Sequence, residues 1–136
     1  MPPLRVMLYS PYVDVRTTVD QLLSLNELGQ VLIYPTFVDL YAAAFDGQGE
    51  LAIVDSLGTP AGLDSSEREA LVALRQLVPT IYMTARDWAA PNDLQVSALL
   101  RKPFELDELV AAIEHAAGES EPTDADDLSP PSATLR

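Results

Sequence analysis

Five short apolar runs punctuate the first hundred positions, and between them apolar residues recur every three or four places. The runs occupy residues 4–9, 31–34, 51–54, 80–83 and 96–100. Each is continuously apolar rather than alternating, the pattern of strands covered on both faces. A first helix is expected over 14–25, with Val15, Val19, Leu22 and Leu23 on one face. Thr36, followed three residues later by Asp39, has the form of a capping box. It opens a second helix through Leu40, Tyr41, Ala44 and Phe45. Asp46-Gly47-Gln48-Gly49 is turn chemistry that releases the chain into the third strand. A third helix over about 66–78 buries Leu71, Leu74 and Leu77 and stops before Pro79. The last follows Pro103, turns Leu106, Leu109, Val110 and Ile113 inward, and ends near Gly118. The connection over 86–95 contains Pro91 and Asn92, with room for only a turn or two around Asp93, so a short or irregular fourth helix is expected there. Strands alternating with helices through right-handed crossovers predict a three-layer α/β sandwich around a parallel five-stranded sheet.

Composition adds a boundary. A chain of 136 residues, nearly half of them apolar, is long enough for one domain with a real core. After Gly118 the sequence turns acidic and rich in proline and serine, a composition that cannot bury surface. We therefore expect a domain over 1–118 and a disordered tail over 119–136, either inert solvation or a docking segment. The tail holds five of the 21 acids, and the first 118 residues still carry a charge of −9. Such a body repels phosphate backbones, so no nucleic-acid partner is expected. No apolar stretch approaches the roughly 18 residues that span a bilayer. Arg5 is not followed by a secretory signal core, and cysteine is absent. These features fit a cytoplasmic protein without a membrane partner.

Three polar residues close apolar runs. Asp55 ends Leu51-Ala52-Ile53-Val54, Thr84 ends Ile81-Tyr82-Met83, and Lys102 follows the fifth run. Lys102 is the only lysine, the seven other basic residues being arginine. A carboxylate, a hydroxyl and an ammonium at strand ends can meet at one edge of a parallel sheet, where such sheets carry chemistry.

The arrangement resembles the receiver domain of bacterial two-component response regulators over residues 4–117. The residues that carry the likeness are Glu50-Leu-Ala-Ile-Val-Asp55, Met83-Thr84-Ala85-Arg86 and Arg101-Lys102-Pro103-Phe104. The helix start Phe104-Glu105-Leu106-Asp107-Glu108-Leu109 and Arg16 add to it. The resemblance implies a flavodoxin-like, doubly wound sheet of order 2-1-3-4-5. It makes Asp55 the phosphoacceptor for a phosphohistidine on a partner kinase in a phosphorelay, with Thr84 bonding the phosphoryl oxygens and Lys102 pairing with them. The residue types suit that chemistry. A carboxylate is a competent nucleophile for phosphorus, and the transferring group needs an ammonium and a hydroxyl already in place.

The sequence also departs from that family. Its members carry two acidic residues after the first strand to hold Mg²⁺, and those positions are Ser10 and Pro11 here. Mg²⁺ takes near-octahedral oxygen ligation with one or two carboxylates, and Asp55 with the Leu57 carbonyl remains. Asp14 is expected to face away unless a rearranged loop brings it or Glu50 nearer. No cofactor is therefore expected, and Mg²⁺ binding is expected to be impaired. The switch position, usually aromatic, is Leu99. The resulting expectation is an atypical, stand-alone receiver-like module, a pseudo-receiver, that works by protein–protein contact with a histidine kinase or downstream effector. If phosphoryl transfer is lost, Lys102 pairs with Asp55 permanently. A homodimer is left open, though not the standard phosphorylation-driven kind.

Other readings follow from other residues. Trp88 can anchor a partner or fold back over the gap left by a short helix. His115, the only histidine, has no ligand partner at metal spacing and reads as solvated. Tyr9 and Tyr12 are expected to fill the space of a hydrated metal. Asp55-Ser56-Leu57-Gly58-Thr59 resembles the signature of haloacid-dehalogenase-type phosphatases, but Leu57 replaces the second aspartate and Asp87 stands alone after the fourth strand, so no enzyme is expected. A flavodoxin-like cofactor site lacks the glycine or hydroxyl cluster that wraps a phosphate.

Overall fold

The structure, a computed structural model, describes residues 4–55, 65–85 and 96–119. The elements run β1 (Leu4–Tyr9), α1 (Val13–Leu25), β2 (Gly29–Tyr34), α2 (Phe37–Phe45) and β3 (Leu51–Asp55). They continue as α3 (Ser65–Leu77), β4 (Thr80–Ala85), β5 (Ala98–Lys102) and α4 (Leu106–Glu119). All strand pairs are parallel and the sheet order is β2-β1-β3-β4-β5, the flavodoxin-like arrangement expected. On one face Val6, Leu8, Leu51, Ile53, Ile81, Met83 and Leu100 meet Val19 and Leu23 of α1 and Leu109, Ala112, Ile113 and Ala116 of α4. On the other, Met7, Ala52, Val54 and Tyr82 meet Leu40, Ala43 and Ala44 of α2 and Leu71 and Leu74 of α3.

Position in the sheet decides how far the apolar runs are buried. All five residues of the central β3 are buried, whereas the edge strands β2 and β5 are only half covered. β5 also starts two residues later than its apolar run, because Ser97 is spent on the lead-in. Its amide donates to the Thr80 carbonyl at 2.8 Å, and its hydroxyl accepts from the Thr80 amide at 2.9 Å. The strand then extends through Arg101 to Lys102.

Helix faces show similar small corrections. Leu77 is exposed and Val78, whose amide still reaches the Leu74 carbonyl, takes the inward place. Phe45 points outward while Ala43 packs inside, and the inward stripe of α4 continues through Ala112 and Ala116 rather than Val110. Thr36 caps α2 as expected, its hydroxyl accepting from the Asp39 amide at 3.1 Å. Gly47 adopts φ +72, which an L side chain rarely takes. Gly49 sits where a Cβ would lie 2.7 Å from Met7 Cγ and 3.0 Å from the Arg5 carbonyl. The 86–95 connection with Asp87 and Trp88, residue Leu57, and the tail beyond Glu119 lie outside the described residues. No described helix is long and apolar enough to cross a membrane.

Candidate functional site

β1, β3 and β5 deliver their last residues to one edge of the sheet. Asp55 ends β3, the central strand, and is completely buried, since sheet neighbours cover it on both sides. Lys102 ends β5 two strands away and shares the face of Leu100, which pairs with Met83, the register partner of Asp55. Side chains alternate along strands, so this register aims Lys102 and Asp55 to the same side. The ammonium lies 2.6 Å from Asp55 Oδ1. Ser10, one residue past β1 and 3% exposed, donates its hydroxyl to Asp55 Oδ2 at 2.6 Å.

Each carboxylate oxygen therefore faces a donor of its own. The Ser10 oxygen also accepts from the Tyr12 amide at 3.1 Å, which fixes the hydroxyl in place. Tyr12, half exposed, lays its ring over Lys102 with Nζ 4.7 Å from the ring centre, a cation–π contact. Thr84, 6% exposed, stands one residue beyond Met83 at the same edge. Arg16 Nε reaches the Tyr12 carbonyl at 3.5 Å, tying α1 to the loop that carries Ser10.

The Asp55–Lys102 pair is where the strand-end pattern predicts it. Two features were not anticipated. Ser10 reads from sequence as a lost ligand, whereas here it is a hydrogen-bond donor to Asp55. The signal was its place, one residue beyond a strand that neighbours β3. The Tyr12 ring covers Lys102, but Tyr9 packs on the α2/α3 side of the sheet, so only one of the two tyrosines lies at the site. Leu99 is half-buried on that same opposite side. Pro11 is exposed. Asp14 is exposed and lines a groove of about 540 Å³ with Tyr12, Val15, Thr18, Lys102, Pro103 and Phe104. Glu50 is at the far edge, held by Arg5.

Among the described residues, the donor set around Asp55 does not fit Mg²⁺. Among the described residues, no three His, Asp or Glu side chains group as metal ligands. The carboxylate oxygens a metal would take are engaged by a hydroxyl and an ammonium, and the ammonium would repel a divalent cation at that distance. The arrangement can hold a carboxylate rigidly and can offer a cation and a hydroxyl to any charge that develops on it.

No protein-family model matches the chain, and no curated protein matches it. Solved structures do. FixJ-N aligns with a TM-score of 0.70 at 22% identity, over 90% of this chain and 100% of that one. The signal receiver domain of a modulated diguanylate cyclase from Desulfovibrio desulfuricans gives 0.67 at 19%, over 86% and 95%. The chemotaxis protein CheY4 of Vibrio cholerae gives 0.65 at 16%, over 84% and 98%. At these identities the likeness is one of fold, and the fold is that of receiver domains.

Proposed function

We propose that this chain is a receiver-like signalling module that acts by protein–protein contact with a kinase or a downstream effector, with Mg²⁺-dependent phosphorylation of Asp55 impaired. The observation that carries this reading is the double engagement of Asp55, Lys102 on one oxygen and Ser10 on the other. Ser10 occupies a position where the resemblance implies a carboxylate ligand, so the phosphoryl group would arrive without a metal to share its charge. Loss of one charge-stabilising group costs roughly 100- to 1000-fold in rate. The pair itself then serves as a fixed strut between the ends of β3 and β5.

Lys102 and Thr84, retained at the same edge, favour a second reading, a conventional phosphoacceptor. One experiment separates the two. The protein, Asp55→Asn and Ser10→Asp are incubated with acetyl phosphate and Mg²⁺ and followed by intact mass. The expected result is no phosphoryl adduct on the natural chain and a gain in Ser10→Asp. An adduct on the natural chain that is absent from Asp55→Asn makes it a working phosphoacceptor and overturns the impaired reading.

A further inference from the structure

β2 is the outer strand on one side of the sheet, and its free edge is unguarded. It pairs with β1 alone, and the register runs through six consecutive residues without a bulge. Alternate residues of such a strand aim their amide and carbonyl away from the sheet. Among the described residues, no further backbone hydrogen bond involves 29–34. Edges are ordinarily protected by charge, proline or a bulge. β5, at the opposite side, carries Arg101 and Lys102, whereas Gly29-Gln30-Val31-Leu32-Ile33-Tyr34 has none of these devices.

We propose that this edge takes up an extended, lysine- or arginine-rich segment of a partner protein as an added strand. Hydrogen bonding sets the class of occupant. The outward amides and carbonyls are matched in full only by another extended backbone, whose affinity comes from main-chain bonds rather than from area. Val31 packs toward α1 and Tyr34 toward α2, so an added strand finds apolar side chains to extend on both faces. Ile33, 44% exposed, is a side chain that such a strand would cover. Charge sets the sign of the occupant. Residues 10–48, which hold α1, β2 and α2, carry five acids against one cation, Arg16. All five, Asp14, Asp20, Glu27, Asp39 and Asp46, are exposed. With −13 on the whole chain, an acidic segment or a second copy is repelled here, and a basic segment is attracted. The edge uses none of Asp55, Ser10 and Lys102, so it stands or falls independently of the phosphorylation chemistry.

Capped six-residue peptides, the length of β2, test this on the full chain by amide NMR. One alternates lysine with valine, one alternates glutamate with valine, and one is the lysine peptide with every backbone nitrogen methylated. The lysine peptide is expected to bind, shifting the amides of 29–34 and slowing hydrogen exchange at alternate ones, and to weaken as salt is added. The glutamate peptide should not bind, for want of charge complementarity. The methylated peptide should not bind either, although it keeps every positive charge, because its main-chain donors are gone. Ile33→Lys puts a guarding charge on the edge and should abolish binding of the lysine peptide. Its unfolding midpoint should stay close to that of the natural chain, because Ile33 is partly solvated. Failure of the lysine peptide to bind, or equal binding by either of the other two, overturns the proposal. So do shifts confined to other residues, and binding undiminished in Ile33→Lys. Shifts in 29–34 that follow protein concentration alone would mark a second copy as the occupant, and overturn it too.

Discussion

Asp55 is a carboxylate with no access to water, and its environment is legible in the cost of removing each neighbour. A buried charge stripped of its counter-charge typically costs about 3–5 kcal/mol, whereas neutralising both partners can be nearly free. Lys102→Met keeps the aliphatic stem and the Tyr12 contact surface but takes the ammonium away from the buried carboxylate, and should destabilise by about 3 kcal/mol. Asp55→Asn should cost less, since an amide still accepts from Ser10 and the ammonium, 21% exposed, reaches water. Urea unfolding of both variants checks the order; the reverse order would place the larger penalty on the ammonium. Residue types and strand ends made Asp55 and Lys102 visible from sequence. Ser10 and Tyr12 were legible as positions but not as contacts. A hydroxyl's partner and a ring's tilt depend on how a loop turns, and no periodicity encodes that.

At the scale of elements, burial followed neighbours rather than local pattern. The apolar run of β3 and that of β2 look alike in sequence, yet one is sealed and the other lies at an edge, because only the sheet order assigns the middle. Ser97 broke the fifth run by pairing with Thr80, a partner 17 residues away that a local window does not see. The Thr36 cap, by contrast, is a local device and was readable. Gly49 belongs to the unreadable kind: the sequence shows a turn, and the structure shows the close approach to Met7 and the Arg5 carbonyl that reserves the position for hydrogen. Gly49→Ala should cost about 1–3 kcal/mol through displaced backbone. A urea midpoint equal to that of the natural chain would mean that the turn gives way freely.

For the whole molecule, the acidic balance governs both solubility and pH response. At the edge away from Asp55, Glu50 accepts from the Arg5 amide at 2.7 Å and from its guanidinium, joining the start of β1 to the residue before β3. The guanidinium holds the Glu50 carboxyl below its ordinary value, and Glu50 in turn raises Arg5. A lowered carboxyl contributes stability that is present above the unfolded value near 4.5 and is lost as pH falls through the folded one. The gap in unfolding free energy between the natural chain and Glu50→Gln should therefore be small at neutral pH, as for exposed pairs. It should close in acid, as urea titrations at pH 7 and pH 3 would show. The order of the sheet was legible through the family likeness. Output was not, because receiver folds occur in proteins as different as a chemotaxis protein and a diguanylate cyclase. One feature gives direct access to the pocket in solution. The chain's single ε-amine is the very group that clamps Asp55. An acylating reagent therefore has one lysine to find, and because it needs a free amine, the speed of reaction follows how often Lys102 lets go of Asp55.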